Sequence, residues 1–365
     1  MSEWQTFCLK DLGKIVGGAT PPTNNPKNYG NKIAWITPKD LSTLQGRYIK
    51  KGSRNISRLG FKSCSCVLLP KHAILFSSRA PIGYVAIAEK RLCTNQGFKS
   101  IIPNKKIYFE FLYYLLKYHK DNISSIGGGT TFKEVSGATL GLFQVKIPPT
   151  YHEQQKIART LSVLDQKIEN NHKINELIQT LAYKIYEYHF KYKPKNAKLE
   201  QIIIENPKSS IMVKDAQKTQ DKYPFFTSGD NILSYPKALI DGRNCFLNTG
   251  GNAGIKFYVG KASYSTDTWC IGANEFSDYL YLLLSSIKTH INQSFFQGTS
   301  LKHLQKNLLK KYPIYMPSAH EIKKFNQIIM PLLTLISINT RTSKKLEQIR
   351  DFLLPLLLKQ QVKPK

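Results

Sequence analysis

Side chains that could bind phosphate groups or base edges are concentrated in a few polar loops. The segment Ser77–Gly83 carries Arg79 between two apolar runs, and a later turn carries the adjacent pair Asn95 and Gln96. Arginine and side-chain amides are the groups that read base edges in the major groove of DNA. Recognition residues also tend to lie on loops held by a rigid sheet. We therefore predict that these loops face DNA, with a solvated arginine and a purely local amide turn as the alternatives.

A third loop joins glycines to hydroxyl and lysine side chains. Three consecutive glycines, Gly127–Gly129, precede Thr130, Thr131 and Lys133. Glycines let a backbone approach a ligand closely, and hydroxyl and lysine side chains are common phosphate contacts. The loop lacks the Gly-Lys-Ser/Thr ending of a nucleotide-binding P-loop. We predict that it contacts DNA phosphates, and a flexible turn is the alternative.

The second half of the chain repeats this scaffold with different polar residues. Gly254 follows Gly83 by 171 positions, and Gly298–Lys302 repeats the glycine-threonine loop. Asp267 stands where the first copy has Gln96, so the two copies should read different targets. The complete set of residues predicted to contact DNA is Lys62, Ser77, Ser78, Arg79, Asn95, Gln96, Lys99, Thr130, Thr131, Lys133, Ser228, Asn252, Lys256, Lys261, Thr299, Ser300 and Lys302.

The charge balance favours a polyanionic partner. The 365 residues include 53 Lys and Arg against 24 Asp and Glu, which gives a net charge of +29. The basic residues are spread over sequence that has the pattern of a folded protein. Phosphate contacts draw on this kind of surface, so nucleic acid is the leading candidate.

No pattern for catalysis or for a cofactor site accompanies these loops. His152-Glu153 lacks the second histidine of a zinc-protease motif, and no strand-turn-helix rich in glycine is available for a nucleotide cofactor. The aromatic tetrapeptide typical of amino-methyltransferases is also missing. The six cysteines form no CxxC pair, which indicates reduced, mostly buried thiols. We predict a binding protein that is not an enzyme and that holds no metal or cofactor.

A long amphipathic helix separates the two sets of loops. Thr150 and Glu153 form a capping box at its start, and Lys193-Pro194 ends it. Apolar residues recur between these points at alternating spacings of four and three, which predicts a helix that lies along a partner helix. Asn171 and Asn175 interrupt the apolar stripe.

The partner helix is predicted in the same chain, because a second copy follows 168 positions later. Ser318 and Glu321 repeat the capping box, and Asn339 and Ser343 repeat the polar interruption. We predict an intramolecular antiparallel coiled coil, in which buried asparagines fix the register. The predicted helix-pair core is Ile157, Leu161, Leu164, Ile168, Ile178, Ile185, Phe325, Ile329, Leu332, Ile336, Leu346 and Leu353.

The sequence thus predicts an α+β fold with a pseudo-twofold internal repeat. The expected parts are a globular mixed domain at 1–149, a long helix at 150–193, a second globular domain at 194–317, a second long helix at 318–358 and a disordered basic tail at 359–365. We expect a strand at Leu140–Ile147, a bend near Pro331 and fraying beyond Leu354. No apolar run is long enough to span a bilayer, and no secretory leader begins the chain, so a cytoplasmic location without membrane contact is expected.

These residues resemble the specificity subunit of a type I restriction-modification system. The run Leu75–Tyr84 followed by Cys93–Lys99 is similar to one class of target recognition domain in that family. The step from Pro148-Pro149 into Glu153–Ile157 resembles the entry into the conserved helix, and Tyr223–Gly229 resembles the opening of a second type of recognition domain. The similarity covers essentially the whole chain.

The resemblance implies that each domain reads one half of a split, asymmetric double-stranded DNA target. The helix pair would set the spacer, and about 38 residues at roughly 1.5 Å each give about 57 Å. Two modification subunits would bring S-adenosylmethionine to methylate adenine, and restriction subunits would use ATP and Mg. Their expected docking surface is Gln154, Gln155, Lys167, Asn170 and Lys173.

Three other functions are compatible with the residues. The chain could be the recognition module of a split nuclease-methyltransferase, or a stand-alone architectural DNA-binding protein. It could also be a coiled-coil scaffold that never touches DNA. Salt-dependent affinity for DNA separates the last function from the others.

Overall fold

The computed structural model describes residues 3–79, 81–129, 133–216 and 222–364. The chain divides into two compact units. Unit 1 comprises residues 1–170 and 343–365, and unit 2 comprises residues 171–342. Both units mix helices with sheets, and the α+β fold class is confirmed.

The elements up to the first long helix are β1 (Gln5–Cys8), α1 (Leu9–Leu12), β2 (Gly13–Gly17), β3 (Tyr29–Ile33), β4 (Trp35–Ile36), α2 (Pro38–Ser42), β5 (Tyr48–Ile49), α3 (Arg58–Lys62), β6 (Ile74–Ser78), β7 (Ile82–Ala88), β8 (Cys93–Thr94), β9 (Lys99–Pro103), α4 (Phe109–Ser125), α5 (Gly137–Leu142), β10 (Gln144–Ile147) and α6 (Tyr151–Tyr186). The later elements are β11 (Ala197–Lys198), β12 (Ile204–Glu205), α7 (Val213–Ala216), β13 (Tyr223–Phe226), β14 (Ile232–Tyr235), β15 (Arg243–Asn248), β16 (Ile255–Val259), β17 (Ser263–Tyr264), β18 (Thr268–Gly272), α8 (Ser277–Ser286), α9 (Lys288–Ser294), β19 (Phe296–Gln297), β20 (His303–Leu304), α10 (Lys306–Lys310), β21 (Pro313–Ile314) and α11 (Ala319–Leu358).

Unit 1 is built on a five-stranded sheet with the strand order β2-β9-β6-β7-β5. Its central hairpin pairs β6 with β7, and Leu75 lies opposite Ala86. The aromatic helix α4 covers one face, where Phe111 and Tyr114 are buried in the same cluster as Phe76. The aromatic stripe of α4 is therefore core, because burying rings against a sheet is the strongest available source of apolar stabilisation.

Unit 2 repeats this scaffold with a four-stranded sheet in the order β12-β18-β15-β16. These strands correspond in order to β2, β9, β6 and β7 of unit 1. Trp269 and Leu247 face α8, whose Tyr279 and Leu282 are buried in the same cluster. A small parallel-antiparallel sheet, β14-β13-β17, lies beside the main one. The internal repeat seen in the sequence is thus a repeat of sheet topology.

The two long helices begin at hydroxyl caps. At the start of α6, the Glu153 amide donates to Thr150 Oγ1 at 3.2 Å. At the start of α11, the Glu321 amide donates to Ser318 Oγ at 3.3 Å, and the Ser318 amide donates back to Glu321 Oε2 at 2.9 Å. These contacts satisfy amides that have no partner inside the helix.

Within each unit, the described parts of α6 and α11 pack side by side. In unit 2, Asn339 Nδ2 donates to Asn175 Oδ1 at 2.9 Å, and the rings of Phe325 and Phe190 are 4.9 Å apart. Rising positions along the first helix meet falling positions along the second, so the helices run antiparallel there. In unit 1, Arg350 of α11 bonds to Asp165 of α6 at 2.6 Å.

The predicted helix-pair core is distributed over both units. Residues on that stripe lie towards the partner helix or the core of their own unit. The buried members are Ile157, Leu161, Ile168, Phe325 and Ile329, and the half-buried members are Leu164, Ile178, Ile185, Leu332, Ile336, Leu346 and Leu353.

The second long helix differs from expectation. It runs from Ala319 to Leu358 without interruption at Pro331, and the bend expected near Pro331 stays a prediction. The fraying expected beyond Leu354 is wrong, because Leu357 and Leu358 are buried in the core of unit 1. The first four residues of the basic tail, 359–362, donate backbone hydrogen bonds to carbonyls at the end of α11. Gln360 adopts φ +59, a left-handed turn that ends the helix.

One other local expectation is wrong. Leu140–Ile147 is not one strand, because α5 occupies Gly137–Leu142 and only Gln144–Ile147 is extended. The Thr139 amide donates to Ser136 Oγ at 3.0 Å, and this cap starts a helix in a segment with strand-like composition. The first long helix changes from α-helical to π-helical geometry after Tyr186 and continues as a π-helical turn over Glu187–Lys191, close to the end predicted at Lys193.

Candidate nucleic-acid interface

The hairpin of β6 and β7 ends in a tight tip that carries Arg79. Ser77 Oγ donates to the Pro81 carbonyl at 2.8 Å and accepts from the Tyr84 amide at 2.8 Å. Ser77 and Ser78 are 0% exposed. The prediction that these two hydroxyls contact DNA is therefore corrected, since they are enclosed and occupied within the hairpin. Their role is to shape the tip that presents Arg79.

Arg79 belongs to a cluster of opposite charges, the hairpin-tip cluster, formed by Arg79, Lys99 and Glu134. Lys99 Nζ lies 3.1 Å from Glu134 Oε1, and Arg79 Nη1 lies 3.5 Å from Glu134 Oε2. The exposed Lys133 is adjacent in the chain. One carboxylate thus faces several cations, and the cluster keeps a positive charge. Sequence reasoning missed Glu134, although it is the lone acid of the glycine-threonine loop.

The glycine-threonine loop closes against the same hairpin. Gly128 and Glu134 exchange two backbone hydrogen bonds, of 3.0 and 2.9 Å, and the Val135 amide donates to the Ser78 carbonyl at 3.0 Å. These contacts bring the loop beside the hairpin tip, as a shared ligand surface requires. Thr130 and Thr131, which were predicted to contact DNA, lie outside the described residues.

Asn95 and Gln96 have different surroundings. Asn95 Oδ1 accepts from the Gly97 amide at 3.0 Å, so that end of its side chain shapes the local turn. Gln96 is exposed and accepts a hydrogen bond from Thr20 Oγ1. Gly97 has no room for a side chain, because a Cβ there would lie 2.9 Å from Pro38 Cγ. Gln96 is the member of the pair that is available to a ligand.

In unit 2 the corresponding hairpin, β15 to β16, is braced in the same way. Asn248 Nδ2 donates to the Asn252 carbonyl at 3.1 Å, which matches the bond from Ser77 to the carbonyl four residues later. Lys256 Nζ donates to Asn248 Oδ1 at 3.0 Å and to the Thr227 carbonyl at 2.8 Å. Burial lowers the pKa of the Lys256 ammonium. In this conformation Lys256 therefore supports the hairpin from within.

Hydroxyl and amide groups gather beside this second hairpin. Ser228 Oγ accepts from the Thr249 amide at 3.2 Å, and Thr249 Oγ1 donates to the Asp267 carbonyl at 2.7 Å. The Gly251 amide donates to the Lys302 carbonyl at 2.9 Å, which places the exposed loop of Thr299, Ser300 and Lys302 next to Asn252. We call Ser228, Thr249, Asn252 and Lys302 the unit 2 loop cluster.

Two predicted residues are not brought to these clusters by the hydrogen bonds of the described residues. Lys62 is exposed on α3. Lys261 is exposed just beyond β16, near Val259, whose amide donates to Ser337 Oγ of α11 at 3.0 Å. Lys261 therefore follows the end of the strand that is farthest from Asn252.

A buried ionic network attaches the unit 1 sheet and α4 to the long helices. Arg47 lies 2.9 Å from Glu110 of α4 and 3.1 Å from Glu169 of α6. Asp165 of α6 bonds to Arg350 of α11 at 2.6 Å. Buried charges are tolerated only with such partners. The network holds the unit 1 sheet in one orientation on the helices.

Unit 2 achieves the same attachment with fewer charges. Arg243 of β15 forms an ion pair with Asp278, at the start of α8, and donates to Thr334 Oγ1 of α11 at 2.9 Å. Gln179 of α6 donates to Tyr281 OH at 2.7 Å. Asp278 follows the glutamate of α4 by 168 positions, the offset of the long helices. The two units thus share the place of attachment and differ in its chemistry.

The polar faces of α6 are mostly exposed, with one correction. Gln154 is only 1% exposed, and it accepts from the Tyr108 amide at 2.7 Å and donates to the Lys106 carbonyl at 3.0 Å. It cannot be part of a docking surface, because it caps the loop before α4. The other expected docking residues are exposed, namely Gln155, Lys167, Asn170 and Lys173.

No metal centre is apparent in the described part of the chain. No group of three histidine, cysteine, aspartate or glutamate side chains there is placed to hold a metal ion. The cysteines are free thiols. Burial raises the pKa of the Cys64 thiol to about 11, so it is protonated and weakly nucleophilic at neutral pH. No helix among these residues is long and apolar enough to cross a membrane.

Comparison with known proteins gives consistent matches. The family sequence model for the type I restriction modification DNA specificity domain matches residues 1–180 and 195–348. The chain is 32% identical over 405 residues to the type I restriction enzyme MjaIX specificity subunit of Methanocaldococcus jannaschii, covering 98% of this chain and 93% of that protein. It is 30% identical over 177 residues to the type I restriction enzyme HindI specificity subunit of Haemophilus influenzae, covering 46% of this chain and 37% of that protein.

A solved structure has a similar fold. The crystal structure of the S subunit of a type I restriction-modification system from M. genitalium superimposes with a TM-score of 0.65 at 18% identity. The match covers 97% of this chain and 96% of that one.

Proposed function

Because this chain belongs to the family of type I restriction-modification specificity subunits, we propose that it reads a bipartite, asymmetric DNA target, one half with each unit. As a specificity subunit it is a non-catalytic component, so its contribution is binding and positioning. In the proposed mechanism, contacts to the DNA phosphates fix the register of the protein on the duplex, and loop side chains reach the base edges.

One observation carries the proposal. The same braced hairpin occurs in both units, but different side chains surround it. Unit 1 presents Arg79 and Lys99 around one carboxylate, whereas unit 2 presents Ser228, Thr249 and Asn252. Base edges differ in their donors and acceptors. Two copies of one scaffold with different loop chemistry are suited to two different half sites.

The partners follow from the same family membership. We propose that two modification subunits dock along exposed polar positions of the long helices, such as Gln155, Lys167 and Lys173. They would supply S-adenosylmethionine and methylate adenine in each half site. Restriction subunits would add ATP-dependent cleavage with Mg. The lengths of α6 and α11, 36 and 40 residues, would set the number of base pairs between the half sites. The complex would work in the cytoplasm, where its DNA target lies.

The test is to map methylated adenines by sequencing the DNA of cells that carry the modification subunit with or without this chain. We expect a split motif with a fixed spacer that appears only when the chain is present. In a variant with Arg79 and Lys99 replaced by glutamine, the sequence preference should weaken in only one half of that motif. In a variant with Ser228 and Thr249 replaced by alanine, it should weaken in only the other half. Methylation at the same sites without the chain would contradict the proposal, and so would a continuous motif.

The same experiment separates the other functions. If the chain is an architectural DNA-binding protein, its DNA affinity should depend on salt and methylation should not change. If it is a coiled-coil scaffold, it should show neither DNA affinity nor an effect on methylation. Co-purification with a methyltransferase subunit of the amino type supports the proposal, and co-purification with a fused nuclease-methyltransferase supports the split-enzyme alternative.

A further inference from the structure

A strongly basic segment, which we call the lobe, lies between β2 and β6 of the unit 1 sheet and includes the edge strand β5. Between β2 and β6, residues 18–71 contain ten basic residues and one acidic residue, Asp40. The corresponding stretch of unit 2, residues 206–242 between β12 and β15, contains five basic and four acidic residues. Because both stretches occupy the same place in one scaffold, the fold does not require a large excess of basic residues there. Of the two stretches, only the unit 1 lobe has that excess.

The lobe presents its cations on one side of a short helix. In α3, a Cβ at Gly60 would lie 2.0 Å from the Asn28 carbonyl oxygen, so this position faces inward. Arg58 and Lys62 are four residues apart, which puts them on one face, and each is two residues from Gly60, which puts them on the opposite side. Both are exposed. The helix therefore points this pair of cations into solvent.

Further cations lie beside this pair. Ser57 Oγ, at the start of α3, donates to the Lys27 carbonyl at 2.6 Å. The Arg54 guanidinium lies 3.4 Å over the ring of Tyr29, a contact that holds it in place. We call Lys27, Arg54, Arg58 and Lys62 the lobe face. Among the described residues, none of these four makes an ion pair, so their charges are available to a ligand.

The lobe is attached directly to the predicted base-reading loop. Thr20 Oγ1 donates to Gln96 Oε1. Two residues that follow Thr20 in the chain receive hydrogen bonds from the lobe: Tyr29 OH donates to the Pro21 carbonyl at 2.9 Å, and Asn28 Nδ2 donates to the Pro22 carbonyl at 2.9 Å. The lobe is thus connected to Gln96 by a short chain of hydrogen bonds. A duplex placed on that loop would have its backbone near the lobe.

We propose that the lobe face is a sequence-independent anchor for the phosphates of double-stranded DNA flanking the half site read by unit 1. The inference rests on the proposed function. The chemistry of the face favours contact with the DNA backbone rather than with base edges, because cations without an ion-pair partner neutralise phosphates and release counterions. The nearly balanced charge of the corresponding sequence of unit 2 makes the proposed anchoring asymmetric between the two half sites.

The experiment compares two variants of the full chain with the same reduction in charge. The lobe variant is Lys27→Gln/Arg58→Gln/Lys62→Gln, which leaves the contact of Arg54 with Tyr29 intact. The control variant replaces three exposed lysines elsewhere in unit 1, Lys10→Gln/Lys105→Gln/Lys146→Gln. Affinity for a duplex containing the methylated motif and for a scrambled duplex is measured by fluorescence anisotropy, between about 50 and 300 mM salt. Far-ultraviolet circular dichroism checks that both variants are folded.

For the lobe variant we expect the slope of log K against log salt to decrease in magnitude by about 0.9 for each phosphate that is no longer neutralised. At 0.1 M salt this corresponds to roughly eightfold weaker binding per phosphate. The affinity for both duplexes should fall by the same factor, so the preference for the motif stays constant. The control variant should retain the wild-type slope.

Four results would contradict the proposed anchor, and each can be told from the others. If both variants change the slope equally, only net charge matters and the anchor is refuted. Weaker binding confined to the motif duplex shows base reading by the lobe, which also refutes a sequence-independent anchor. If the lobe variant has a lower affinity for an RNA hairpin while duplex binding is unchanged, the lobe serves RNA instead. If the wild-type chain itself has no salt-dependent DNA affinity, the proposed function fails as well.

Discussion

Replacing Arg47 by methionine should lower the free energy of unfolding of unit 1 by about 3–5 kcal/mol. The Arg47 side chain is 3% exposed, and its partners Glu110 and Glu169 are 11% and 15% exposed at distances of 2.9 and 3.1 Å. An exposed ion pair contributes only about 0–1 kcal/mol. Here the effect is larger because two carboxylates remain buried without their cation.

A neighbouring residue provides a matched control. Lys50 lies 3.9 Å from Glu89, with side chains 65% and 47% exposed, so Lys50→Met should cost less than about 1 kcal/mol. Adding Glu110→Gln to Arg47→Met should restore part of the stability, since one uncompensated charge disappears. If the added substitution raises the free energy of unfolding, the loss in Arg47→Met comes from charge. If it lowers the free energy further, the loss comes from packing.

The assay is urea unfolding followed by tryptophan fluorescence. The chain has three tryptophans, of which Trp4 and Trp35 lie in unit 1 and Trp269 lies in unit 2. In a Trp269→Phe background the signal reports unit 1 alone. If Arg47→Met is no more destabilising than Lys50→Met, or if the added Glu110→Gln costs further stability, the buried charges do not contribute as stated.

Three other substitutions test the interface and the helix pair. Arg79→Gln should weaken duplex binding at 0.1 M salt by roughly eightfold if Arg79 neutralises one phosphate, as measured by anisotropy. Ile168→Glu places a charge at a position that is 5% exposed and should lower stability by more than about 3 kcal/mol, seen as a lower midpoint of thermal unfolding. Asn175→Leu leaves Asn339 Nδ2 without its acceptor and should cost about 1–3 kcal/mol, measured by urea unfolding.

Each of these predictions has its own control. Arg91 is exposed on a different loop of unit 1, so an equal decrease in binding in Arg91→Gln would show that Arg79 has no special place. Leu177 is 71% exposed on α6, and Leu177→Glu should leave the thermal midpoint nearly unchanged. In unit 2, the double variant Asn175→Leu/Asn339→Leu should be more stable than Asn175→Leu alone. If it is less stable, the asparagine pair is not an isolated polar contact.

Elements with strong periodic or capping signals were predictable from the sequence. The long helices begin beside Thr150 and Ser318 as expected, because a cap and an apolar stripe both depend on residues close in the chain. Strand β16 has the predicted bounds, Ile255–Val259. The segment at Gly137–Leu142 was not predictable, because its single serine cap outweighed a strand-like composition.

The burial of individual polar groups was harder to infer. Ser77, Ser78 and Gln154 have the composition of surface residues, yet each is enclosed by contacts with backbone atoms. Such contacts depend on how distant segments meet, as with Gln154 and the Lys106 carbonyl. Glu134 was overlooked for the same reason, since Arg79 and Lys99 are its neighbours only after the hairpin and the adjoining strand are assembled.

The side-chain brace across each hairpin has an evolutionary consequence. Ser77 holds the carbonyl of Pro81, and Asn248 holds that of Asn252, so both ends of each turn are fixed independently of the residues between them. In unit 1, Arg79 lies between these two ends, so it can be replaced without disturbing the sheet beneath. If the two hairpins read DNA as proposed, a lineage can acquire a new DNA preference in one copy while the other copy and the proposed docking positions on the helices remain as they were.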